Sequence, residues 1–220
     1  MKSEKTLSLG ELLREPGETM DFAEGKACGW RSAGFLAAAT AMGCALFGFA
    51  VGSFVDLKVA AIDAVKMVGV AAFSFALSFP TLYVFATVCG SKLSPVRTAV
   101  LGLVCTATLG CILAALAPIL WLFSASTESA AFIVVLSCAL AVLALGFVGR
   151  PIAAAKRKGI VENPAGLNIW LVVFVVVALQ TITLARPMLA PLGTPREPNG
   201  KCFFIMHFVD SIGVGHTSAR

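Results

Sequence analysis

The sequence predicts an all-α fold, a polytopic membrane helix bundle with about five transmembrane helices. Three observations predict it. Of 220 residues, 58% are hydrophobic and 13% charged, with a mean hydropathy of +0.91, whereas a soluble domain carries roughly 45–50% apolar and about 25% charged residues. Five uncharged windows follow one another, each close to the roughly 20 residues that cross a hydrocarbon core of about 30 Å. The basic residues gather at the ends of those windows, where they can meet lipid headgroups.

The first window is Gly34–Phe54, GFLAAATAMGCALFGFAVGSF, and the second is Met67–Cys89, MVGVAAFSFALSFPTLYVFATVC. The third runs from Thr98 to about Ser124, with Pro118 expected to bend its far end. The fourth is Ala130–Gly149, AAFIVVLSCALAVLALGFVG, and the fifth runs from Asn168 to about Ala185, NIWLVVFVVVALQTITLA. All are expected to be helical, because an open strand would leave backbone groups unpaired in lipid. Two connections are longer than the rest. Val55–Lys66, VDLKVAAIDAVK, reads as a short interfacial helix or a helical extension. Arg150–Leu167, RPIAAAKRKGIVENPAGL, reads as a basic loop with Pro and Gly breakers.

These windows divide the chain into a cytoplasmic or interfacial N-terminal segment (1–33), a five-helix transmembrane domain (34–186) and a C-terminal tail (187–220). Met1–Arg31 holds five basic and six acidic residues ahead of the first apolar run, which is not the pattern of a signal peptide. Two readings stand for this segment: amphipathic turns around Pro16 that face the membrane, or a solvated arm. The tail carries CFFIMHFV, too short to span, and suited to the interface or to packing on the bundle.

Lysine and arginine placement sets the expected orientation. The N-terminal segment, the loop after the second window and the loop after the fourth together carry eleven; the opposite side carries six, four of them from Arg186 onward. The N-terminus is therefore expected in the cytoplasm and the tail outside. The net charge of +5 is explained by this placement, and no nucleic-acid partner is expected. Membrane lipids are, with a protein partner or a second copy of the chain.

Small residues recur at helix-repeat spacing. GFAVG places Gly48 and Gly52 four apart, and Gly102, Thr106, Gly110 and Ala114 form a second ladder of that period. Residues four apart share a helix face, and small ones let two backbones approach closely. This is a helix-packing or partner face: packing within the chain is the favoured reading, homodimerisation the sharper alternative.

The second window is the most polar, with Ser74, Ser78, Thr81, Tyr83 and Thr87 around Pro80. Ser74, Ser78, Pro80 and Thr81, with Gln180 of the fifth window, form a candidate polar cavity. A proline-broken helix can line a transporter's substrate site; the favoured reading is a kinked packing helix whose hydroxyls bond back to their own backbone. Gln180 could also bond across helices, and Arg186 is placed to snorkel.

Catalysis finds no support. The five windows contain no acidic residue, which argues against a proton- or cation-coupled carrier. Both histidines, His207 and His216, lie in the tail without metal-site spacing. The seven cysteines include no CxxC pair, and those inside windows read as small hydrophobes. No catalytic residue, metal site or cofactor is expected. The expectation is a non-enzymatic membrane scaffold or accessory subunit, with a small oligomeric transporter or channel using the kinked second helix as the alternative.

LLREPGETM at Leu12–Met20, the five-window count and FPTLYVFATVCGSKLS at Phe79–Ser94 are together similar to the Yip-type membrane proteins. That second segment, with TLARP at Thr183–Pro187, also resembles bacterial multi-span proteins, which implies an inner (plasma) membrane. The resemblance covers about residues 12–186 and implies a cytoplasmic N-terminus ahead of a compact five-helix bundle. The short signatures of the eukaryotic trafficking members are not evident, so it implies nothing about vesicle traffic or small-GTPase binding.

Overall fold

A computed structural model describes residues 29–90, 94–159, 161 and 163–184. They form five helices: α1 (Gly29–Gly52), α2 (Leu57–Val88), α3 (Pro95–Ser126), α4 (Ala130–Arg157) and α5 (Ala165–Leu184). All five are long and apolar enough to cross a membrane. The fold is that of an integral membrane protein. Most of the 1–33 segment, the tail with CFFIMHFV, Cys28, Cys202, both histidines and Arg186 lie outside the described residues.

Local chemistry sets the helix starts. The Asp56 carboxylate caps α2 by accepting from the Leu57 N–H at 2.7 Å. Ser94 caps α3 ahead of Pro95, and Ser129 caps α4 by accepting from the Phe132 N–H at 3.4 Å. Asn163 Oδ1 accepts from the Ala165 N–H at 3.0 Å, where α5 begins. Each cap satisfies a donor that a helix terminus leaves open.

Several helices outrun their apolar windows. α2 begins at Leu57, ten residues before Met67, so Val55–Lys66 is mostly helical extension. Its Val59, Ala60 and Asp63 are buried, which is why the extension holds. Likewise α4 runs past Gly149 to Arg157, so the first half of the expected basic loop is helix. Pro151 costs one backbone bond there, but Ile152, Ala154 and Ala155 are buried. The loop proper is only the turn at Lys158 and Gly159 and the capping residues before α5. Pro80 and Pro118 likewise lie inside continuous helices, both on exposed faces.

Consecutive helices run antiparallel, and α3 lies in the middle, the most buried of the five spans. α1 and α2 pack on each other and on α3; α4 leans on α3, and α5 on α2. The core divides along the membrane normal. One half joins Leu36 of α1, Leu82 of α2, Val104 of α3, Ile152 of α4 and Trp170 of α5. The other joins Phe47 of α1, Leu120 of α3 and Ile133 and Ala144 of α4, with Met67 of α2 against them. All buried α5 residues belong to the first half.

Candidate functional site

The glycine ladders are consumed by contacts within the chain. A Cβ on Gly48 would stand 2.7 Å from the Asp63 carbonyl oxygen and 2.6 Å from Met67 Cγ; one on Gly52 would stand 2.7 Å from Ala60 Cα. The GFAVG face of α1 therefore lies flat on the start of α2. Gly102 faces α2 instead, with Leu82 Cδ2 at 2.7 Å from a Cβ placed there. Gly110 faces α1, where a Cβ would meet Thr40 Cα at 2.9 Å. Gly43 completes that crossing: its Cβ would run into the Gly110 backbone. Gly43 stands four residues after Ala39, a small-residue pair that the sequence reading did not single out.

Hydroxyls cross the same α1–α3 seam. Thr106 Oγ1 lies 3.5 Å from Thr40 Oγ1, while each also donates to its own helix, to Leu103 and Leu36 carbonyls respectively. Nearer the α3–α4 turn, Ser53 and Ser124 hydroxyls stand 3.2 Å apart. Ser53 gives its proton to the Ala50 carbonyl at 2.8 Å, so Ser124 is the donor between them. Ala114, the last member of the ladder, is half-buried.

The residues of the candidate polar cavity take different environments along α2 and α5. Ser74 and Ser78 are fully buried, Thr81 is half-buried, and Pro80 points outward. The Ser78 hydroxyl donates back to the Phe75 carbonyl at 3.3 Å. Its own carbonyl accepts from the Trp170 indole Nε1–H at 3.1 Å, across the α2–α5 seam. Trp170 is itself fully buried and stacks obliquely on Phe174, centroids 5.6 Å apart. Ser74 Oγ and Gln180 Oε1 are sealed from solvent and have no hydrogen-bond partner among the described residues.

Asp63 escaped the sequence reading because it precedes the second apolar window. The helical extension carries it onto the buried face of α2, where its exposure is 1%. Lys66 Nζ stands 3.3 Å from its Oδ1, one turn along the helix. Neither carboxylate oxygen receives a hydrogen bond among the described residues, so the pair is an ion pair without bond geometry. An acidic group on the buried face of a spanning helix marks a site by default.

Among the described residues the carboxylates are confined to one end, which also carries Lys58 and Lys66. Asp56, Asp63 and Glu128, the only carboxylates among the described residues, lie toward the α1–α2 and α3–α4 turns. Arg97, Arg150, Lys156, Arg157 and Lys158 lie at the other end, all exposed. Arg150 is steadied there over the Phe147 ring, 5.0 Å from its centroid.

The cysteines pack as apolar side chains: Cys44, Cys105 and Cys111 are buried and free, and Cys89 and Cys138 are half-buried and free. No three metal-ligating side chains gather among the described residues. No known family's sequence profile, curated protein or solved structure matches this chain.

Proposed function

We propose that this chain is a non-enzymatic integral membrane scaffold or accessory subunit, which binds protein or lipid through its helix faces and its basic end. The carrying observation is where the small and polar residues go. Gly43, Gly48, Gly52, Gly102 and Gly110 all meet neighbouring helices of the same chain. Most buried hydroxyls are spent on backbone carbonyls or on each other. That arrangement favours a filled interior and leaves function to the outer faces. On α4, Phe132, Val135, Val142 and Leu143 are exposed, as are Ile169, Val172 and Val176 on α5. In this reading the chain sits in a bacterial inner membrane, N-terminus cytoplasmic, and its kinship to Yip-type proteins is one of architecture.

The reading is tested by purification in mild detergent at native expression, with mass spectrometry of what stays bound. A stoichiometric protein partner, or a defined set of retained lipids, is expected. A homogeneous oligomer with neither would overturn it.

A second reading, a small oligomeric transporter or channel, is favoured by one observation: the buried carboxylate of Asp63, with no hydrogen bond to either oxygen among the described residues. Ion or proton flux in liposomes that is abolished by Asp63→Asn would establish it.

A further inference from the structure

The end of α4 is built to a pattern that the sequence alone read as a loop. Its apolar run ends at Gly149, and helix continues for two more turns to Arg157. At 1.5 Å per residue, Arg157 stands about 10 Å beyond Arg150, in the depth range of lipid headgroups. One face of this extension is fixed: Pro151, Ile152, Ala154 and Ala155 are buried. Gly159, at φ +68°, then reverses the chain, the Val161 N–H returns to the Ala155 carbonyl at 3.4 Å, and Val161 is buried. The other face exposes Arg150, Lys156 and Arg157. Arg97 is exposed in the first turn of the adjoining helix α3. These cations are therefore held in register by packed helix.

α4 packs on α3, and Arg97 in the first turn of α3 lies at the same end of the bundle as the α4 cations. Arg150 stands seven residues after the exposed Leu143, on the same outward stripe of α4. No carboxylate shares this end among the described residues; Glu162 and the acidic residues before Gly29 lie outside them. A cationic ridge at headgroup depth, beside an apolar helix face, complements a molecule with an anionic head and apolar tails.

We propose that the basic end of α3 and α4, through Arg97, Arg150, Lys156 and Arg157, is a binding site for the phosphate headgroup of an anionic phospholipid. The proposal rests on the lipid-binding half of the scaffold reading and names its ligand class. Arg150 at the apolar boundary takes the phosphate, its guanidinium held over the Phe147 ring, and Lys156 and Arg157 extend the positive field toward the solvent side. A cation near an anionic surface is worth about fivefold in partitioning, so several held together discriminate headgroups where a single one would not.

The test uses the full chain, extracted into mixed micelles with equal amounts of phosphatidylglycerol and phosphatidylcholine. Native mass spectrometry then counts each lipid retained. Wild type is expected to enrich phosphatidylglycerol about tenfold or more, and Arg150→Gln/Lys156→Gln/Arg157→Gln to abolish the enrichment. Lys58→Gln, at the opposite end, is expected to leave it unchanged. Equal retention of both lipids by wild type overturns the proposal. So does enrichment that survives the triple substitution. Should the triple variant fail to fold, Arg97→Gln/Arg150→Gln alone is expected to lower the enrichment severalfold, and unchanged enrichment there overturns it as well. Loss of headgroup selectivity with a protein partner still bound would sink this site and spare the scaffold reading.

Discussion

Trp170 of α5 donates its indole N–H to the backbone carbonyl of Ser78 on α2, at 3.1 Å, with both residues fully buried. Ser78 lies two residues before Pro80, in the stretch of α2 whose ladder the proline interrupts. The bond makes α5 a fixed member of the bundle at this level. It also puts the largest fully buried side chain among the described residues against the Ser78 backbone.

Replacing Trp170 by phenylalanine keeps most of the ring volume and removes the bond. The expected loss is about 0.6–2 kcal/mol, the range of interhelical hydrogen bonds in membranes. Replacement by alanine also opens a cavity and is expected to cost about 3–5 kcal/mol. Thermal unfolding in detergent, followed for both variants, checks the order; equal losses would show that the hydrogen bond dominates and packing does not.

The α1–α3 crossing at Gly43 and Gly110 supplies a second test. Gly43→Ala puts a methyl group into the Gly110 backbone, and Gly110→Ala puts one 2.9 Å from Thr40 Cα. The helices must separate, and packing along the whole seam suffers, including the Ser53–Ser124 bond. Both variants are expected to lower the unfolding temperature clearly. Gly146→Ala and Gly149→Ala on α4 meet nothing within 4 Å, and are expected to be neutral or to stabilise by up to about 1 kcal/mol from helix propensity.

Spans and close-packing ladders were legible because hydropathy and four-residue spacing are local properties. Gly48, Gly52, Gly102 and Gly110 could be picked out by that spacing, although the spacing did not say which helix each would meet. Gly43 was passed over although it pairs with Ala39 at the same spacing, because nothing local says which of the many small residues of α1 meets a neighbouring backbone. The helical nature of Arg150–Arg157 was hidden by Pro151, whose cost is outweighed by burial of its neighbours Ile152, Ala154 and Ala155. Asp63 was hidden by a window drawn on hydropathy alone: a helix ends where caps and packing end it, and the Asp56 cap lies well before the apolar run.

The Asp63–Lys66 pair gives a third prediction. Lys66→Ala leaves a carboxylate buried against α1 without its counter-charge, and is expected to destabilise by about 1–3 kcal/mol. Asp63→Asn removes the charge while keeping the shape, so Asp63→Asn/Lys66→Ala is expected to recover part of that loss. A double-mutant cycle on unfolding measures the coupling. Additive effects would mean that Lys66 is stabilised elsewhere and that Asp63 is held by its packing.

The placement of lysine and arginine gives a fourth prediction, the orientation of the bundle. The end bearing Arg97, Arg150, Lys156, Arg157 and Lys158 is expected to face the cytoplasm, as the bias of lysine and arginine toward that side requires. Glu128, exposed in the α3–α4 turn, then faces outward. In a background with the natural cysteines replaced by alanine or serine, Glu128→Cys is expected to react with a membrane-impermeant maleimide on intact cells. Lys158→Cys is expected to react only after permeabilisation. The reverse pattern would invert the bundle and move the cationic ridge of α4 to the outer leaflet, where an anionic headgroup would have to be supplied from a differently composed lipid layer. Labelling of both from outside would mean mixed insertion, and would trace to the three cations of the 187–220 tail competing with the basic end for the cytoplasmic side.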